Sequence, residues 1–302
     1  MKLSVIVPTY HRNQELSYCL DRLSPEYQDV PSSLFEVIVT DDGVRESAEE
    51  MVKEHYSWAK WVKGPQKGPA SNRNAGAEHA VGQWLLFTDD DCLPQKNWIR
   101  TYYEAIRENP TIRVLEGKST ADRKRRALSE CAPINEQGGF MPSCNLAVEQ
   151  RLFNELKGFD EDYPFSFEDM DFHYRVKEAG HQVVFLEDAL VLHPWRNTTG
   201  KASIEFYKNQ QQGIITFIKK HPEIIKSFNS KHFLVMFLKK LIEELGPGLI
   251  AYKGRGVGHA LRGLHFNIKM AVLLVPETFR WYRKNLAYSN KQSSPILKET
   301  KT

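Results

Sequence analysis

Three consecutive carboxylates, Asp89, Asp90 and Asp91, follow directly on the apolar run Trp84-Leu-Leu-Phe87 and Thr88. Side by side at the end of a strand they repel one another strongly unless positive charge sits among them. A divalent cation is the natural partner, and an all-oxygen donor set favours the hard ions magnesium and manganese, which also bridge diphosphate oxygens. The plainer alternative is an acidic turn that caps the next helix. A second acidic pair, Asp41-Asp42 before Gly43, ends another apolar run and reads equally well as a turn former. Tyr10, just beyond the first such run, is by type a packing residue.

The elements that must carry these residues alternate along the chain. Leu3 to Val7 is a β-branched run stopped by Pro8, as for a buried strand of a parallel sheet, and a helix is expected over about Asn13 to Leu23. Phe35 to Thr40 reads as a second strand, followed by a Glu-rich helix near Glu46–His55. After a loop at Lys63–Pro69, a helix over about Ala70 to Val81 is expected to end at a left-handed Gly82. Trp84–Phe87 is the third strand, and the next helix is expected to start near Pro94. Such alternation argues for an open α/β sheet whose ligands bind at the carboxyl ends of the strands, the edge on which the acidic turns fall.

Further on, Phe167 to Ala179 is helical by pattern, with Asp169, Phe172, His173 and Val176 on one face. Gly180 ends it, and Gln182–Leu186 is another strand. The charge run Asp122-Arg-Lys-Arg-Arg126 reads as a solvated surface or an anion contact.

The chain has 302 residues and a net charge of +3, long enough for one large domain or a domain with an appendage. Residues 1–195 hold 22 basic and 32 acidic side chains, and residues 196–302 the remaining 19 and 6. Such asymmetry suggests two working surfaces. Cys19, Cys92, Cys131 and Cys144 show neither a C-x-x-C pair nor metal-knuckle spacing, so zinc and a redox dithiol have little support. No segment has the length of uninterrupted apolar sequence that a membrane helix needs, and a cytoplasmic location is expected.

Read together, the blocks Val5-Ile-Val-Pro-Thr-Tyr10, Val37-Ile-Val-Thr-Asp-Asp-Gly43, Gly68-Pro-Ala-Ser-Asn-Arg-Asn-Ala-Gly76 and Leu86-Phe-Thr-Asp-Asp-Asp-Cys-Leu-Pro94 resemble family 2 glycosyltransferases of the GT-A fold. So do Asn145-Leu-Ala-Val148, Lys157-Gly-Phe-Asp-Glu161 and Phe167-Glu-Asp-Met-Asp171. The resemblance spans about residues 1–195. It implies a Rossmann-like, mostly parallel sheet flanked by helices, while residues 196–302, by their own pattern and charge, read as a helical basic extension. It also implies inverting transfer of a sugar from a nucleotide donor, most often a UDP-sugar, in cell-surface polysaccharide or glycan assembly.

Carried over by position, Pro8 and Tyr10 border the base, Asp41 or Asp42 accepts its N–H, and Arg73 lies near the base or diphosphate. Asp89 and Asp91 match the family's Asp-x-Asp, with Asp90 at the same donor site. Asp89 meets the ribose or metal and Asp91 holds the metal, manganese or magnesium, while His193 completes the metal site. Asp169 occupies the position of the general base, and Glu168 holds the acceptor or the loop. The helix dipole is expected to keep Asp169 ionised. Trp195 stacks on a sugar or packs, and Arg196 and Lys201 close over the diphosphate or remain surface charges.

Residues 196–302 carry no such pattern. The apolar stretch Phe233–Ile242, framed by lysines, suits core or interface packing, or peripheral contact with the inner face of an anionic membrane. The partners implied are a nucleotide-sugar donor and a saccharide or lipid-linked acceptor, with no nucleic acid. Two rival readings are a nucleotidyltransferase, disfavoured because Pro8-Thr-Tyr-His-Arg12 stands where a glycine-rich loop is usual, and a non-catalytic nucleotide-sugar binding protein.

Overall fold

A computed structural model describes residues 1–292. The chain divides into two units, one of residues 1–125 and 130–197, the other of residues 126–129 and those from Thr198 on. The boundary thus falls two residues later than the sequence suggested, and a short loop of the first part belongs to the second unit.

The first unit is built on strands β1 (Leu3–Thr9), β2 (Phe35–Asp41), β3 (Lys60–Lys63), β4 (Trp84–Thr88), β5 (Leu93–Pro94), β6 (Val114–Ala121), β8 (Asn145–Glu149) and β9 (Val183–His193), in the order β3-β2-β1-β4-β8-β6-β9-β5. β7 (Glu130–Cys131) pairs separately with β10 (Arg196–Asn197). The pairings β3-β2, β2-β1, β1-β4 and β6-β9 are parallel, while β8 runs antiparallel to both β4 and β6. The helices are α1 (Asn13–Leu23), α2 (Glu49–His55), α3 (Pro69–Glu78), α4 (Trp98–Glu108), α5 (Gln150–Glu155) and α6 (Glu168–Glu178).

The continuous apolar runs have a simple cause. Strand side chains alternate between faces, and here both faces are covered. Val5, Val7, Val37, Val39, Leu86 and Ala147 share one core with Leu16 and Leu20 of α1 and Trp98 and Tyr102 of α4. Ile6, Ile38, Leu85, Phe87, Leu146 and Val148 face the other way, into Ala70 and Ala77 of α3 and Phe172 and Val176 of α6. Gly76 lets α3 lie against β1, since a Cβ there would come within 2.5 Å of the Ile6 side chain.

Several boundaries depart from the sequence reading. β1 continues through Pro8 to Thr9, because β4 pairs with it only as far as Ile6 and a proline on that side breaks no ladder bond. β3 is too short and too polar to signal itself. Gly82 is not left-handed: α3 ends at Glu78, and a Cβ on Gly82 would meet Ser4 N at 2.7 Å, so the glycine serves a close approach. Pro94 belongs to β5, paired with Val191, and the following helix begins only at Trp98. β9 runs well past Leu186 to His193, which carries that histidine to the acidic edge. The four cysteines are free; Cys19, Cys92 and Cys144 are buried and Cys131 is half-buried.

The second unit is helical: α7 (Gly200–Lys220), α8 (Ser230–Lys239), a π-helical turn (Lys240–Leu245), α9 (Gly246–Ala251), α10 (Val257–Leu273) and α11 (Val275–Gln292). Its core gathers Leu128, Leu245, Ala260 and Leu264, and the buried His259 ring meets Ser203 Oγ at 2.9 Å and Tyr207 OH at 3.2 Å. Of the stretch Phe233–Ile242, Phe233 is buried and Phe237 packs against this core, while Leu234, Val235, Met236, Leu238, Leu241 and Ile242 are exposed. Among the described residues no helix is long and apolar enough to cross a membrane.

Asn145 pins the centre of the first unit. Its fully buried side chain accepts from Trp98 Nε1 at 2.8 Å and Tyr102 OH at 2.9 Å, and donates to Lys118 O and Ala189 O at 2.8 Å each. Asn145→Ala strips partners from four groups on α4, β6 and the β9 strand, and each buried orphan costs about 1–3 kcal/mol. A loss of at least ~3 kcal/mol is expected in urea unfolding, and a loss under about 1 kcal/mol would remove Asn145 from this role.

Candidate active site

The three carboxylates at the end of β4 meet three arginines. Asp90 turns toward β1, where it accepts from Thr9 Oγ1 at 2.9 Å and Arg12 Nη1 at 3.0 Å. Asp91 takes a two-pronged contact from Arg196, Nε at 2.7 Å and Nη2 at 2.8 Å, with Arg12 Nη1 at 3.3 Å. Asp89 accepts from Arg73 Nη2 at 2.7 Å and lies 3.7 Å from Arg196 Nη2. Burial alone would raise the Asp89 carboxyl, but Arg73 and Arg196 outweigh it and hold it down at about 2. Asp90 goes the other way: burial, with Asp91 and Asp89 beside it, pushes it up to about 6 against the pull of Arg12. The positive charge that the acidic run demands is therefore supplied in part by the chain itself.

His193, at the end of β9, is fully buried. Its Nδ1 lies 2.8 Å from Pro194 O, which assigns the ring proton there in the neutral imidazole. Nε2 is then a lone pair 3.3 Å from Asp91 Oδ1, without a hydrogen-bond partner. In that tautomer a buried lone pair faces a carboxylate, an arrangement relieved either by a cation shared between them or by a proton on Nε2. Asp91, His193 and Cys92 bring one donor atom each within 4.8 Å of one another, and burial keeps the Cys92 thiol protonated, a poor ligand for a hard ion. The donor chemistry thus fits a divalent metal on Asp91 and His193, with Asp89 close by.

α6 delivers the second pair of carboxylates. Phe167, immediately before it, has φ of 80°, a left-handed conformation that costs a bulky residue about 1–3 kcal/mol. Glu168 is buried and takes Arg73 Nη1 at 2.9 Å, while its other oxygen is a buried atom with no partner. Burial and the adjacent Asp169 push Glu168 up to about 7. Asp169 is the more accessible of the two and accepts from the Met170 N–H at 2.8 Å. Its carboxyl is also raised, chiefly by burial, so the lowering expected from the helix dipole is overridden.

Arg73 is the link between the two acid groups. It is 5% exposed, with one nitrogen on Asp89 and the other on Glu168, so it is sequestered between carboxylates rather than open to a base or diphosphate. Its neighbours in the same block are braces. Asn72 donates to Thr9 O and Thr40 O, and Asn74 exchanges two bonds with the Phe159 backbone, at 2.8 and 2.9 Å. Near the end of β2, Asp41 accepts from Gly43 N, Ser47 Oγ, Ala48 N and Trp61 Nε1, which leaves it little acceptor capacity. Asp42 accepts only Gln66 N at 2.8 Å and Gly68 N at 3.2 Å. Pro8 is buried at the end of β1, and Tyr10 beyond it is 60% exposed, so it is not the packing residue its type suggests. Trp195 donates to Arg123 O at 2.7 Å with Arg125 over its ring. Arg12 was missed as a charge partner, although its place directly beyond β1 was a usable signal.

Residues 4–153 match the model of the family described as glycosyl transferase family 2. Glycosyltransferase AglE of Haloferax volcanii is 25% identical over 208 residues, 64% of this chain and 67% of AglE. The structure of S. aureus TarS 1-349 in complex with UDP-GlcNAc superposes with a TM-score of 0.57 at 20% identity, over 94% of this chain and 92% of that one. Mannosyltransferase PcManGT from Pyrobaculum calidifontis, solved with GDP-Man and Mn2+, gives 0.52 at 19% identity, over 97% of this chain and 76% of that one. The chain spans about two thirds or less of the length of the curated relatives it matches. The structural likenesses establish a GT-A type fold. With residues 4–153 matching the family model and the acidic strand end inside the matched region, the chain belongs to glycosyl transferase family 2.

Proposed function

We propose that the chain transfers a sugar from a UDP-sugar to an acceptor hydroxyl with inversion at the anomeric carbon, in the assembly of a cell-surface polysaccharide or glycan. The observation that carries this reading is the Arg73 guanidinium, which touches both Asp89 of the acidic strand end and Glu168 of the α6 pair. A donor held at the first group and an acceptor deprotonated at the second would thereby meet. The TarS and PcManGT complexes, which hold UDP-GlcNAc and GDP-Man with Mn2+, support a nucleotide-sugar donor and a metal.

In this reading Tyr10 offers an exposed ring for the base to stack on, and Asp42 retains the acceptor capacity that Asp41 lacks. Asp91 and His193 hold the metal, and a bound divalent ion supplies stabilisation of charge developing on the leaving diphosphate. Asp169 takes the proton of the attacking hydroxyl, its raised carboxyl placing it nearer the working pH as a base. Glu168, tied to Arg73, orients this pair. No covalent enzyme intermediate is required.

The direct test is thermal shift with UDP- and GDP-sugars in Mn2+, since a ligand that binds the native state raises its stability. UDP-sugars are expected to give the larger shift, and no shift with any nucleotide sugar would overturn the reading. Asp169→Asn is expected to cut turnover by about 10²–10⁴-fold while donor binding by calorimetry is retained. Unchanged turnover would sink Asp169 as the base, and intact binding with no transfer even in the unaltered chain would favour a binding protein.

Two further outcomes follow from the charges. His193→Ala and Arg196→Ala should move Mn2+ affinity in opposite directions in titrations read by electron paramagnetic resonance. The first removes a ligand and is expected to weaken binding at least about tenfold; the second frees Asp91 and should strengthen it. For Glu168, a folded value of about 7 lies above the ordinary 4.5, so the stability contributed by its protonated form is present at low pH and is lost as pH rises through about 7. The melting temperature of the parent chain relative to Glu168→Gln should therefore fall between pH 5 and pH 8, and a flat difference would show that Glu168 is not perturbed.

A further inference from the structure

The second unit leaves apolar side chains in water where a helical bundle would be expected to cover them. Leu234, Val235 and Leu238 of α8 and Leu241 and Ile242 of the π-helical turn recur at i, i+1, i+4, i+7 and i+8, which aligns them along one side of the segment. All five are exposed, Ile242 by 67%, and Ile250 at the end of α9 is 85% exposed. Single exposed leucines need no explanation, but an ordered stripe of them does. Lys231 and Lys239 sit exposed within the same segment, and the exposed Lys253 and Arg255 lie three and five residues beyond Ile250. Of the acids nearby, Glu244 is paired with Lys240 at 2.7 Å, and Glu243 is exposed.

We propose that this stripe docks on the surface of an anionic lipid bilayer, lying in the interface with its apolar side chains among the acyl chains and its lysines at the head groups. Charge complementarity selects the occupant. Residues 196–302 carry 19 basic against 6 acidic side chains, so a second copy of the chain would bring like charge to like charge, whereas anionic lipid attracts every one of these cations. A short apolar stripe flanked by lysines is the interfacial pattern, and no described helix is built to go further and cross. The inference stands on the second unit alone and does not depend on the transferase reading.

The test uses the full chain and sedimentation with phosphatidylcholine vesicles containing either none or 30% phosphatidylglycerol. The expected result is binding that requires the anionic lipid and weakens in high salt. Leu238→Glu with Ile242→Glu should lower the partition coefficient at least tenfold, with the melting temperature and nucleotide-sugar binding unchanged. Lys231→Gln with Lys239→Gln, which leaves the apolar stripe whole, should weaken binding to anionic vesicles by several-fold, and this second variant guards against a folding defect in the first. Absence of binding to either vesicle overturns the proposal. So does equal binding by the parent chain and both variants, or concentration-dependent dimerisation that the glutamate variant abolishes.

Discussion

Everything at the carboxyl edge of the sheet depends on keeping three adjacent carboxylates at the end of one strand. Repulsion among Asp89, Asp90 and Asp91 would open this turn were it not for Arg12, Arg73 and Arg196, which approach from the end of β1, from α3 and from β10. The acids are thus shared among three separate elements. Each ion pair on its own would do little more than offset the cost of desolvating its members, but removing any one partner would leave an uncompensated buried charge. The consequence is specificity of arrangement: the strand ends are held in one register around the charges.

The same arrangement divides the labour among the acids. Asp89, between two guanidiniums, stays ionised, whereas Asp90 and Glu168 are pushed toward neutrality by burial and by their acidic neighbours. Environments that pull carboxylates apart in this way are what acid and base chemistry requires of a site. Arg196 stands on Asp91, where a metal would have to bind beside the lone pair of His193, so the internal cation and the external one compete for the same oxygens.

Much of this was legible along the chain. The apolar runs of β1, β2 and β4 announced a sheet covered on both faces, and the acidic turns fell at their carboxyl ends as an open α/β sheet demands. α1 and α6 were placed to within a residue because their apolar spacing is regular. The errors came where local signals compete with pairing. Pro8 reads as a stop, yet the strand continues because its neighbour on one side has already ended. Gly82 reads as a helix terminus, yet its missing side chain serves the backbone of Ser4. β3 owes its existence to pairing with β2, which no window of four residues reveals.

The sequence by itself determined which residue types stand at the strand ends, and with them the family and the kind of chemistry, because those facts are local in spacing and order. Tertiary structure alone decided what each of those residues does. Arg73, Asn72 and Asn74 lie in one block that looks ligand-binding, and packing turns all three inward as a bridge and two braces. Asp41 and Asp42 are neighbours of one type, separated only by how many donors the fold brings to each. The apolar segment of α8 reads as core, interface or membrane contact, and its partial exposure follows from which side of the helix finds a partner. Such outcomes depend on contacts between separate elements, from 16 residues apart for Arg73 and Asp89 to 95 for Arg73 and Glu168, where burial and charge are set by what arrives from elsewhere in the fold.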